Sequence, residues 1–126
     1  MKKTFLFTIF AMVISCLAVL TSCTDDSPSG VVKTYFSAMK SGNAEKAAKC
    51  MNIPADRLES YTKRLEKQIK RDDANMYLIK NGDIEILHET IDGDRAFVEI
   101  SVKAEGMGIQ REVSLEKVDG QWKMEK

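Results

Sequence analysis

Histidine and tryptophan occur once each in 126 residues, proline twice and cysteine three times. One histidine is too few for a histidine-built metal site. Three cysteines do not make a disulfide scaffold. Two prolines and seven glycines exclude a collagen-like chain. Nineteen cations balance nineteen anions, which argues against a strongly basic nucleic-acid binder. No Gly-rich phosphate loop, serine triad or nucleotide motif appears, so no cofactor is called for. Aromatics are 7% of the chain, so most large rings are needed for packing. What is there is a 44% hydrophobic content and length for one domain with a modest core.

The first segment reads as an address. Met1-Lys2-Lys3 is a short positive head, and Phe5 to Leu20 is an uncharged apolar run. Together they form the pattern of a secretory signal peptide. Leu20-Thr21-Ser22-Cys23 closes it and resembles the lipobox of bacterial lipoproteins. That resemblance implies a signal peptide over 1–22 and a diacylated Cys23 as mature N-terminus. Two acyl chains hold a membrane firmly where one binds marginally. The alternative is an uncleaved transmembrane anchor, since residues 4–24 carry no charge and are just long enough to span. No Lys or Arg cluster follows them, and Asp25-Asp26 come next. Thr24 is not the aspartate that can retain lipoproteins at an inner membrane. Thr24-Asp25-Asp26-Ser27 resembles the acidic run that sends some Bacteroidetes lipoproteins to the cell surface. The plainer reading of that run is an acidic spacer. The expected location is the cell envelope, lipid-anchored at the outer membrane, on its periplasmic face or at the surface.

Cys16 leaves with such a signal and Cys23 is acylated. Cys50 then stands alone, and a lone thiol is more often a small buried hydrophobe than a nucleophile. A catalytic cysteine would need a histidine, and only His88 is available.

Residues 23–29 form a lipidated cysteine and short linker, and 30–126 a domain. Six extended residues, 24–29, reach roughly 20 Å, which keeps the domain close to its membrane. Ser27-Pro28 is a helix start. Val31, Val32, Tyr35, Phe36 and Met39 recur with helical spacing up to Gly42. Asn43 caps a small-residue helix through Ala44, Ala47 and Ala48. After Pro54 a third helix places Leu58, Tyr61, Leu65 and Ile69 on one side. The spacing predicts helices over 28–41, 44–51 and 54–72. The period then changes to two, and Asp92-Gly93, Gly106-Met107-Gly108 and Asp119-Gly120 are turn signals. Strands are expected near 83–91, 95–104, 109–118 and 121–126. Helices first and strands second predict an α+β fold, with N-terminal helices packed on one face of a curved antiparallel sheet of about four strands. Trp122 is expected among the most buried residues.

Val31 to Ala48, with an apolar helix, Gly42-Asn43 and a small-residue helix, opens the chain in a recognisable way. Ile91 to Val98 and Asp119 to Met124 follow in order. These segments resemble the nuclear-transport-factor-2-like (cystatin-like, SnoaL-like) superfamily. The nearest likeness is to small bacterial lipoproteins with this domain, some labelled lumazine-binding-like. The resemblance implies the helix-on-sheet cone. The superfamily spans enzymes, binding modules and protein inhibitors, so it does not imply one function.

The candidate site is thin. Ile84, Ile86 and His88 share strand parity, which would turn His88 toward the helices as a general base, with Glu85 and Glu89 on the other side. The alternative is a partly exposed strand histidine. Tyr35, Phe36, Tyr61, Phe97 and Trp122 are candidates for lining a pocket between sheet and helices, or for ordinary core. Lys63, Lys67, Lys70 and Arg71 form a basic stripe that either meets lipid phosphates or is a solvated helix face. The favoured reading is a membrane-anchored envelope module that binds a small ligand or an envelope protein without catalysis. The alternatives are a small isomerase- or dehydratase-like enzyme using His88, and an inhibitor or assembly protein using the sheet surface.

Overall fold

The computed structural model describes residues 27–126. The expected signal peptide and Cys23 lie outside the described residues.

Helix α1 runs Pro28–Ser41. The Ser27 hydroxyl accepts from the Gly30 N–H at 3.0 Å, and proline at the first position costs no hydrogen bond. Gly42 ends the helix at φ 81°, a left-handed cap that glycine adopts without strain. The Asn43 side chain accepts from the Lys46 N–H at 3.1 Å and starts α2, Ala44–Lys49. A 3-10 turn, Ala55–Arg57, leads into α3, Leu58–Ile69.

A fourth helix, α4, spans Ala74–Asn81. The sequence pattern predicts only three helices before the sheet, so this one is an addition. Asp73, just beyond the helix expected over 54–72, is the cap of this one, and its Oδ1 accepts from the Met76 N–H at 2.9 Å.

Four strands follow as an antiparallel meander in sequence order: β1 Asp83–Asp92, β2 Arg95–Ala104, β3 Met107–Val118 and β4 Gln121–Met124. The fold is α+β, with helices covering one face of the sheet. Ala96, Val98, Ile100 and Val102 of β2 point into that layer and are buried. The free edge of β4 is covered by residues 50–52. Met124 N–H donates to Cys50 O, and Asn52 N–H donates to Met124 O, each at 2.8 Å.

The β1–β2 register shifts once, between Ile86 and His88. Ile86 faces Ile100, but His88 faces Glu99, leaving Leu87 as the extra residue of a bulge. The expected parity of His88 is thereby overturned. His88 shares the convex face with Glu99 and is exposed. Glu89 takes the inward parity opposite Val98. Its Oε1 accepts from the Ser29 N–H at 3.0 Å, which places an acid at the positive end of α1.

Two cores meet along α1. One joins Val32 and Leu78 to the sheet residues Ala96, Val98, Ile100, Leu115 and Trp122. The other is helical, with Met39, Leu65 and Met76 packed among Ala44, Ala47 and Ala48. Alanines at 0–4% exposure let α2 approach its neighbours closely. Trp122 is 7% exposed, buried but less deeply than Val98 or Leu115. Its strand is short and the Lys117 ammonium covers the ring at 5.5 Å.

Candidate functional site

β3 has twelve residues and β4 has four. β4 pairs only with Leu115 to Val118. The first part of β3 therefore has no partner on that side among the described residues. Its inward parity reads Ile109, Arg111, Val113 and Leu115, opposite Val102, Ile100, Val98 and Ala96. Three positions are apolar and one is a guanidinium. The helices close over Leu115, which is fully buried, while Arg111 stays exposed.

A cleft of about 410 Å³ results between α1, α4 and β3. Tyr35 and Phe36 line it from α1, Leu78 and Ile79 from α4, and Ile109 and Val113 from β3. This volume is at the small end of the range for small-molecule sites. A groove of about 250 Å³ lies beside it and shares Phe36, Ile79 and Val102.

Gly82 sets the width of this end. A Cβ there would collide with Leu78 O and stand 3.0 Å from Val102 Cγ1. Only glycine permits α4 to turn into β1 this close to the sheet. Lys40 of α1 donates to Gly82 O at 3.1 Å and ties the joint down.

The cleft also has a polar lining, from Gln68 and Asn75 on the helices to Arg111, Glu112, Glu125 and Lys126. The side chains of Gln68 and Asn75 reach it from the helices, and neither hydrogen-bonds among the described residues. The Tyr35 phenol has a pKa pushed up to about 12, by burial first and then by Tyr61 and Cys50. It remains a neutral donor at physiological pH. Arg111 makes no hydrogen bond or ion pair among the described residues. Glu125 is held by Arg95 at 3.2 Å. Glu112 belongs by register to the convex face, opposite Glu99.

The structure separates the five aromatic candidates. Tyr35 and Phe36 line the cleft. Trp122 is in the sheet core. Tyr61 is half-buried at the junction of the cores, with the Lys126 ammonium 5.7 Å from its ring. Phe97 lies on the convex side opposite Thr90 and Ser114. Arg111 was the residue missed. Its parity was legible, yet a lone arginine among apolar positions carries no motif. The Cys50 thiol is buried, its pKa raised by desolvation, and it donates to Lys46 O at 3.4 Å. That is an inert structural thiol. Lys63, Lys67, Lys70 and Arg71 are exposed, and Lys63 pairs with Glu59 at 3.5 Å. Among the described residues no three His, Cys, Asp or Glu gather to hold a metal ion.

A family model, the domain of unknown function DUF4878, matches residues 21–125. The chain belongs to this family. No curated protein matches it. The DUF4878 domain is similar in structure to a Campylobacter jejuni protein described as an NTF2-like transpeptidase. The TM-score is 0.58 at 18% identity, over 79% of this chain and 99% of that one. An NTF2-like protein of unknown function from Silicibacter pomeroyi aligns with TM-score 0.51 and 14% identity, over 89% and 92% of the two chains. A DUF4783 family protein from Bacteroides ovatus aligns with TM-score 0.50 and 12% identity, over 81% and 92%. At such identities the likeness shows the fold alone, and the DUF4878 domain has the NTF2-like cone.

Proposed function

We propose that this DUF4878 protein is a lipid-anchored module of the cell envelope that holds a small ligand in the cone cleft and does no chemistry on it. The observation that carries the reading is the cleft itself. Apolar side chains of α1, α4 and β3 line about 410 Å³, and Gln68, Asn75 and Arg111 reach it with no hydrogen bond or ion pair among the described residues. Pre-formed, mostly apolar cavities with a few convergent polar groups are the usual form of a small-molecule site.

General acid–base chemistry needs a titratable group within reach of the substrate. His88 is exposed on the opposite face, and Glu125 is engaged by Arg95. Neither favours an isomerase- or dehydratase-like role. Anchoring rests on the basic head, apolar run and Leu-Thr-Ser-Cys of the sequence. It favours an outer-membrane location, on the periplasmic face or at the surface.

Native mass spectrometry of the full chain, extracted from its own membrane in detergent, tests both parts. The expected species begins at Cys23, carries acyl mass and releases a small molecule on activation. A chain that keeps Met1-Lys2-Lys3, or has no acyl mass, removes the anchor. A stoichiometric protein in place of a small molecule replaces the ligand reading with an assembly role.

A further inference from the structure

We infer that the ligand is a small monocarboxylate with an apolar, ring-sized body, its carboxylate gripped by Arg111 and its body seated against Phe36, Ile79 and Val113. The inference rests on the cleft being a ligand site and adds the chemical class.

Arg111 stands on the inward face of β3, opposite the buried Ile100. It interrupts an otherwise apolar row, and it has no acid partner among the described residues. Three other charged residues line the cleft: Glu112, Glu125 and Lys126. Glu125 is neutralised by Arg95 at 3.2 Å. The Lys126 ammonium lies over the Tyr61 ring. Arg111 is the cleft cation with neither an ion pair nor a ring contact among the described residues, and its guanidinium can take one carboxylate. A guanidinium presents a planar fork that matches the two oxygens of a carboxylate.

The remaining surface sets the body. Phe36 from α1, Ile79 from α4, and Ile109 and Val113 from β3 leave apolar walls on both sides of the guanidinium. A ligand that is charged throughout would strand them against polar groups, and a hydrocarbon would leave Arg111 without a partner. The volume of about 410 Å³ is small for a ligand site and suits a single ring on a short arm.

The test uses three soluble probes that share a phenyl ring and differ in the head: 3-phenylpropanoate, 3-phenylpropanamide and 2-phenylethyl phosphate. Each is titrated into the detergent-extracted full chain by ligand-observed NMR, against empty micelles. The acid is expected to bind at least about tenfold more tightly than the amide, the scale of one charge-assisted contact. Arg111→Gln should erase that preference, and Arg111→Lys, which keeps the charge but not the fork, should retain part of it. Val113→Trp, which fills the cleft, should abolish binding of all three. Trp122 emission and the melting point establish that each variant is folded. Equal binding of acid and amide, or a preference that survives Arg111→Gln, overturns the carboxylate assignment and leaves the cleft as a site. Phosphate binding tighter than acid overturns it likewise. Binding that survives Val113→Trp, or no binding of any probe at about 10 mM, overturns the cleft reading together with it.

Discussion

The two ends of the concave sheet face differ in how they are closed. At one end Ala96, Leu115, Trp122 and Met124 meet Val32 in a buried core. There β4 and residues 50–52 extend the sheet and cover its edge. At the other end β4 has stopped, Arg111 replaces an apolar residue, and the helices stand off by a cleft. The same strand, β3, serves both ends. The difference teaches that one short strand and one charged position are enough to divide a face into a part that stabilises and a part that is free to bind.

The comparison predicts unequal responses to substitution. Trp122→Ala strikes the closed end and should cost about 3–5 kcal/mol, a large share of the stability of so small a domain. Urea unfolding followed by far-ultraviolet circular dichroism measures it. A loss under about 1 kcal/mol would show that the ring is not part of the core.

Gly82→Ala pushes α4 away from the sheet and should cost about 1–3 kcal/mol. It should also widen the cleft, so probe affinity falls together with stability.

Alkali acts between the two ends, through Tyr35. Its pKa rises from the usual 10 to about 12 on folding, so above pH 10 the unfolded chain has lost a proton that the folded chain keeps. Stability should fall as pH climbs from 10 to 12, by about 1–2 kcal/mol. Tyr61, also raised by burial, adds in the same direction. Tyr35→Phe should flatten this slope in melting points taken across that range, and an unchanged slope would remove Tyr35 as its source.

Asp73→Ala deletes the cap of α4, the helical wall of the cleft, at about 1 kcal/mol. Thermal melting by circular dichroism resolves a loss of that size. The smallest effect belongs to the open end. Arg111→Gln should leave stability within about 0.5 kcal/mol, because the side chain is exposed and makes no contact that folding depends on. A larger loss on chemical unfolding would make Arg111 a structural residue.

Much of this architecture was legible in the residues. Ser27, Gly42 and Asn43 are strong local punctuation, and α1 begins and ends where they stand. The glycine turns likewise bound β2 and β3, although β3 starts at Met107, before the expected 109. The misses have physical causes. Met76 and Leu78 are spaced by two, which reads as a strand, but the Asp73 cap bond starts a helix that buries Met76 in the helical core and Leu78 in the sheet core. Ile84, Ile86, Leu87 and His88 do not alternate cleanly, and pairing with β2 decides which residue is extra. The cleft was legible only in Tyr35 and Phe36. Wall positions and core positions share one apolar pattern, and the length of β4 opposite β3 separates them.

The bulge at Leu87 also bears on how the chain tolerates gain and loss of residues. Strand faces alternate, so deleting one residue inside a regular strand inverts every position beyond it. Leu87 is the extra residue of its pair and is 44% exposed. A deletion there lets Ile86 and His88 pair with Ile100 and Glu99 as consecutive rungs. His88 stays outward, and Glu89 still reaches the Ser29 N–H at the start of α1. A deletion at Glu85 has no such absorber and turns part of the strand inside out. One-residue length differences among related chains should therefore collect at position 87.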